Sequence, residues 1–192
     1  MRRGRALIPQ RRRVFLACEG ESEQSYGALL SRLIDAQHRR TYLDIVLVQP
    51  GGGDPLAIVE RASRLMSDRV RRFGAYTERA VLLDTDKLGL SPERDRRIEA
   101  LAEREGFRLI WQKPCHEALL LRHLDGCAAL RPVNTARAAE ELQRRCATYR
   151  KGMAAMRLAN LIDVHGVLRA AAVEPALDDF LTAIEFPRDP AG

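Results

Sequence analysis

Acidic residues stand at the ends of short apolar runs, where α/β proteins do chemistry. Glu19 follows the run Val14–Cys18, with Glu21 and Glu23 close behind. Asp84 and Asp86 follow a second run, Ala80–Leu83, and Glu117 comes shortly after a third, Phe107–Trp111. On extended backbone the i, i+2 spacing of Asp84 and Asp86 puts both carboxylates on one side. Carboxylates brought together repel and resist ionising, so a set of them calls for a compensating cation. Hard oxygen ligands without sulfur or imidazole suit Mg²⁺ or Mn²⁺. The local alternative is that Asp84 or Asp86 closes a turn and that Glu21 or Glu23 favours a helix N-terminus.

The elements that must position these acids alternate. Val14–Cys18 predicts a strand that breaks at Glu19-Gly20. A helix follows with Ser22 as its N-cap and Tyr26, Leu29, Leu30, Leu33 and Ile34 at helical spacing. Leu43–Val48 predicts the second strand, ended by Pro50-Gly51-Gly52-Gly53. Asp54 and Pro55 then read as N-cap and first position of the next helix. The glycines admit a phosphate-binding nest, but with no Walker lysine or GxGxxG spacing they read better as a turn and a cap. The third strand is Ala80–Leu83. Ser91-Pro92-Glu93 starts a helix over about residues 92–105, which Gly106 ends. Phe107–Trp111 is the fourth strand, and residues 116–124 form a helix. These nearly continuous apolar strands predict a parallel α/β sheet of about four strands with helices on both faces. With strand two outside strand one and strand three on its other side, the strand order reverses between strands one and three. Glu19 and the Asp84/Asp86 pair then converge there. From Asn134 onward the patterns are helical: Ala136–Thr148, Met153–Ala172 and Pro175–Ile184. The expected organisation is a basic arm over 1–12, an α/β core over 13–130, a helical extension over 131–185 and a frayed tail over 186–192.

The chain has 192 residues, 46% apolar and 30% charged, which excludes a disordered polymer and a membrane-spanning bundle. No apolar run approaches the ~20 residues a bilayer requires. Of the 32 basic residues six are arginines within residues 1–13, a stretch with no acid, so the remainder balances at 26 against 26. Arg11, Arg12 and Arg13 thus read as a tether for phosphate backbone, or as a solvated end. The run after them is too short for a signal peptide. Four cysteines without CxxC spacing indicate a reducing cytoplasm. The four-residue spacing of His123 and Cys127 is a poor match to zinc. His123 sits in an apolar stretch and reads first as a hydrogen-bonded core histidine. Aromatics are 5%, too few for base-stacking platforms.

Two segments together carry a resemblance. Phe15-Leu16-Ala17-Cys18-Glu19-Gly20-Glu21-Ser22-Glu23 and Val81-Leu82-Leu83-Asp84-Thr85-Asp86 resemble the acidic signature of a Toprim domain. With Pro114-Cys115-His116-Glu117-Ala118-Leu119-Leu120-Leu121-Arg122-His123, the chain resembles the RloB-like (AbiLii-like) proteins of bacterial defence loci over roughly residues 13–152. Tyr149-Arg150-Lys151 resembles a further downstream element. His116 stands where the family usually has an aromatic, and Thr85 where it often has arginine. The resemblance implies a Toprim-like fold and a Mg²⁺-dependent nuclease in antiphage defence, acting on RNA, tRNA or DNA. It implies a partner ATPase of the ABC type, and it leaves homo-oligomerisation open. Glu19 becomes a general base or metal ligand, Asp84 and Asp86 metal ligands, and Glu117 a member or orienter of the cluster. Lys87 or Lys151 would neutralise the phosphate, with Glu23, His123 and Tyr149 in support. A non-cleaving module that binds nucleic acid or an ATPase is the competing expectation.

Overall fold

The computed structural model describes residues 11–48 and 53–188. Four strands form one parallel sheet: β1 (Arg12–Cys18), β2 (Thr41–Leu47), β3 (Glu78–Asp84) and β4 (Arg108–Gln112), in the order β2-β1-β3-β4. The register aligns Cys18 with Leu47 and Leu82, and Asp84 with Gln112, so the strand ends form one rim. Parallel neighbours need crossovers, and helices supply them. They are α1 (Glu21–Ala36), α2 (Pro55–Phe73) and α3 (Pro92–Glu105), with α4 (His116–His123) after β4.

Alternation along the strands splits the core in two. Val14, Leu16, Cys18, Leu43, Ala80, Leu82 and Ile110 face α1, α4 and the C-terminal helices. Phe15, Ala17, Val46, Val81 and Leu83 face α2 and α3. Each buried Leu, Val or Phe stabilises the fold by about 1.5–3 kcal/mol. The predicted caps form: Asp54 accepts the amide of Ala57 at 3.3 Å, Ser91 that of Arg94 at 3.4 Å, and Gly106 ends α3 in the left-handed region at φ 66°.

Two local expectations change. Helix α1 begins at Glu21 with Gly20 as N-cap, and the Glu23 carboxylate accepts the Gly20 amide at 3.1 Å. Ser22 is not the cap; its hydroxyl accepts the amide of Gly152, 130 residues away, at 3.0 Å. The helical pattern over Met153–Ala172 is not one helix. After α5 (Thr135–Arg145) it divides into α6 (Ala155–Leu158) and α7 (Val164–Ala171), followed by α8 (Pro175–Ala183). Asp163 makes the break by capping the amide of Gly166 at 2.7 Å. A Cβ at Gly166 would lie 3.1 Å from the carbonyl of His123, so glycine lets α7 close on α4. Leu158, Ile162, Val167 and Phe180 join the core beneath α1, so the extension packs on the sheet domain. Residues 1–10, including Arg2, Arg3 and Arg5, lie outside the described residues, as do Gly51, Gly52 and the end of the tail from 189.

Candidate functional site

The strand order reverses between β1 and β3, and their exits open the crevice that open α/β sheets use for ligands. Glu19 leaves β1 there and Asp84 ends β3 beside it. The Asp84 amide donates to Glu19 Oε2 at 3.5 Å, a long contact that joins the two exits. The loop after Asp84 is held by the Thr85 amide, which donates to the carbonyls of Gln112 and Pro114, each at 3.1 Å. Asp86 projects from this loop and is exposed.

Asp84 follows Leu82 on the face turned toward α1 and α4. Its Oδ1 atom is buried and has no hydrogen-bond partner. Burial is the first cause that pushes its carboxyl up to about 8, and repulsion from Glu23, Glu19, Glu117 and Asp86 adds to it. Glu23, buried in the first turn of α1, is raised by burial and by Glu117, against its bond from Gly20 and the charge of Lys151. Glu19 is raised by burial, opposed by the Asp84 amide, raised further by Glu23 and Asp86, and eased by Lys87. Glu117 is buried in the first turn of α4, and its charge raises both Asp84 and Glu23. Five carboxylates therefore share one electrostatic neighbourhood.

They do not form a finished cage. Among the described residues no three His, Cys, Asp or Glu side chains are gathered as a metal-holding group. The strand alternation explains why. Asp84, Glu23 and Glu117 belong to the α1/α4 side, while Glu19 lies near Gly53 before α2, where a Cβ would be 3.7 Å from Glu19 Oε1. That Cβ would also be only 2.6 Å from Lys87 Nζ, and Gly53 has φ +68°. The left-handed backbone favours glycine here, while the end of the lysine side chain beside it can shift. The sequence pattern marked Gly53 as a turn; its contact with Lys87 comes only from the crossover.

The C-terminal extension reaches the same rim. Gly152, pinned by Ser22, sets Tyr149 and Lys151 over the start of α1. Tyr149 is buried; its phenol is raised by burial and by Glu117, and its hydroxyl lacks an aligned hydrogen-bond partner. Lys151 is exposed, and its charge lowers the pKa of both Glu23 and His116. His123 stays in the core. Its Nδ1–H donates to the carbonyl of Leu119 at 2.8 Å, which leaves Nε2 to accept from the Tyr26 hydroxyl at 3.0 Å. Burial holds both His123 and His116 down to about 4, so both rings are neutral.

Arg11, Arg12 and Arg13 are not part of this site. They sit at the amino end of β1, about 20 Å along the strand from Glu19. Arg11 pairs with Asp35 at 2.8 Å, and Arg12 with Glu185. Arg13 bonds the carbonyls of Phe73 and Gly74 and stacks on the Tyr76 ring at 4.5 Å. All four cysteines are buried and free. No helix among the described residues is long and apolar enough to cross a membrane.

The fold and site together define a doubly wound parallel α/β domain with an acidic cluster at its switch point. The chain belongs to the RloB-like family: the model of the RloB-like protein matches residues 14–178, most of the sequence. Comparison with curated proteins and with solved structures returns no match.

Proposed function

We propose that the protein is a Mg²⁺- or Mn²⁺-dependent nuclease of the Toprim type that hydrolyses phosphodiester bonds of RNA or DNA. The observation that carries this reading is Asp84 Oδ1, buried without a partner amid four other carboxylates. An unsatisfied buried acceptor costs about 1–3 kcal/mol, and a cation relieves both that cost and the crowding. The donors are all hard oxygens, which fits the ion. Mg²⁺ keeps several waters and takes one or two protein carboxylates plus substrate phosphate. Asp84 with Glu19 or Asp86 supplies that number without a three-residue cage. When bound, the ion polarises the phosphoryl oxygen and offsets developing charge.

The remaining roles belong to the chain. Glu19, held by the Asp84 amide and facing Lys87, is placed to take a proton from water or to complete the ligand set. Glu117 and Glu23 shape the field around Asp84 from the helix side. Lys87 and Lys151 bring cationic charge to opposite sides of the rim, where a phosphate would otherwise meet only carboxylates. Tyr149 offers a hydroxyl next to Glu117. The family resemblance adds an antiphage setting in the cytoplasm and an ABC-type ATPase as partner.

The absence of a three-carboxylate group among the described residues favours one other reading, a non-cleaving module that binds nucleic acid or the ATPase. Cleavage assays on the purified protein, alone and with the partner ATPase, separate the two. With Mg²⁺ or Mn²⁺ the nuclease reading predicts cutting that Glu19→Gln and Asp84→Asn each reduce at least 100-fold, on the scale of losing one charge-stabilising group. Cutting that both variants leave unchanged defeats the assignment.

A further inference from the structure

Since Arg11, Arg12 and Arg13 lie at the far end of β1, positive charge for a bound strand is sought elsewhere among the described residues. Helix α2 carries five arginines against the two acids Glu60 and Asp68. Asp44 takes Arg69 at 2.8 Å and Asp68 takes Arg71. The other arginines include Arg64, which lines a surface groove between α2 and α3 with Arg97 and Arg104 of α3. Leu56 and Leu101 form part of the floor, and Glu60 is the one carboxylate among the described residues that line it. Glu60 meets Arg97 only at 3.7 Å, with both side chains solvated. Arg104 is also paired with Glu105 at 3.0 Å, so three guanidinium groups stand against two carboxylates and the groove keeps a net positive charge, on a chain whose residues beyond 13 balance to zero.

The groove leads away from the acidic rim. Both helices start there, α2 after Gly53 and α3 after the loop that carries Asp86 and Lys87. Arg94 joins the two starts: it contacts Asp54 at 3.5 Å and bonds the carbonyl of Lys87. Leu56 lies a residue inside α2, and Arg97 about one and a half turns inside α3. Arg97 and Arg104 are two helical turns apart, about 10 Å at 1.5 Å per residue, with Arg64 on the facing helix.

We infer that the α2/α3 groove binds the phosphate backbone of a nucleic-acid strand as it leaves the acidic rim, through Arg64, Arg97 and Arg104. This rests on the nuclease reading for its choice of polyanion, but its test does not depend on cleavage. Guanidinium groups suit phosphate oxygens, and contacts to backbone carry no sequence information. Each neutralised phosphate of a single strand adds about 0.7 to the salt slope of binding.

The test is fluorescence anisotropy with 20-nucleotide fluorescein-labelled oligouridine and oligothymidine. The protein is the full chain carrying Asp84→Asn, so that the probe is not consumed. Adding Arg64→Ala, Arg97→Ala and Arg104→Ala is expected to weaken binding of both probes at least 10-fold at 100 mM salt and to make the slope shallower by about 2. The exposed pair Arg137→Ala and Arg144→Ala, on α5, is expected to change neither, and all variants to melt within a few degrees of the parent. Unchanged affinity and slope in the triple variant overturns the inference. So does an equal loss in the α5 variant, or displacement of the probe by polyglutamate of matched charge, which would assign the groove to an acidic polypeptide. Binding that the triple variant leaves unchanged, beside metal-dependent cleavage by the chain with Asp84 intact, fails this inference alone; weakened binding in the triple variant, beside no cleavage by the chain with Asp84 intact, fails the nuclease reading alone.

Discussion

Asp84 is the residue on which the chemistry turns, and its protonation gives the site a signature in stability. Its carboxyl sits near 8 in the folded chain and near the ordinary 3.8 when unfolded. Between those values the folded state holds a proton that the unfolded state has released, so stability falls as pH rises through the window. Asn keeps the shape and cannot ionise. In metal-free buffer Asp84→Asn should therefore match the parent's melting temperature near pH 4 and exceed it by about 5 °C or more at pH 8.5. Equal melting curves at the higher pH would show that Asp84 is not held protonated. Scanning calorimetry at the two pH values measures this. At the same scale the sequence marked Glu19, Asp84, Asp86 and Glu117 through residue type and position after apolar runs. It could not show the role of Ser22, because the partner amide belongs to Gly152. Nor could it show that Gly53 lies beside Lys87, since that depends on how two crossovers meet.

The elements were legible where local chemistry dictates them. Proline and a capping side chain begin α2 and α3, Gly106 ends α3, and apolar runs mark all four strands. The C-terminal part was harder to divide, because apolar residues recur at helical spacing straight through the Asp163 break. One tie holds this extension to the site and is a strong test of its packing. Arg122, fully buried in α4, donates to the carbonyl of Lys113 at 2.7 Å and lies 3.0 Å from Glu174 at the start of α8. It so links the connection after β4, the helix that carries Glu117 and the extension. Glu174→Ala leaves the guanidinium buried without its carboxylate, a change worth about 3–5 kcal/mol. The expected result is a fall in melting temperature on the order of 10 °C, with most of it regained in the Arg122→Leu/Glu174→Leu double variant. A fall under 2 °C for Glu174→Ala would mean that the pair bears little on the extension.

For the whole molecule, the parallel sheet has an acidic end and a basic end. The order β2-β1-β3-β4 gathers the carboxylates at one rim, and the entry to β1 lies at the other, where Arg12 pairs with Glu185 and Arg13 with Asp44. A polyanion approaching the acidic rim needs a cation there, together with Lys87, Lys151 and the α2/α3 arginines. The sequence showed the excess of N-terminal arginines but not that Arg11, Arg12 and Arg13 stand at the rim away from the carboxylates, because that follows from the strand direction. The most direct test of the account is anomalous diffraction from crystals of the full chain soaked in Mn²⁺. The account predicts a Mn²⁺ peak within coordinating distance of Asp84, shared with Glu19 or Asp86 and lost in Asp84→Asn. Saturating Mn²⁺ with no peak at this rim, or a peak that survives Asp84→Asn unchanged, would contradict it.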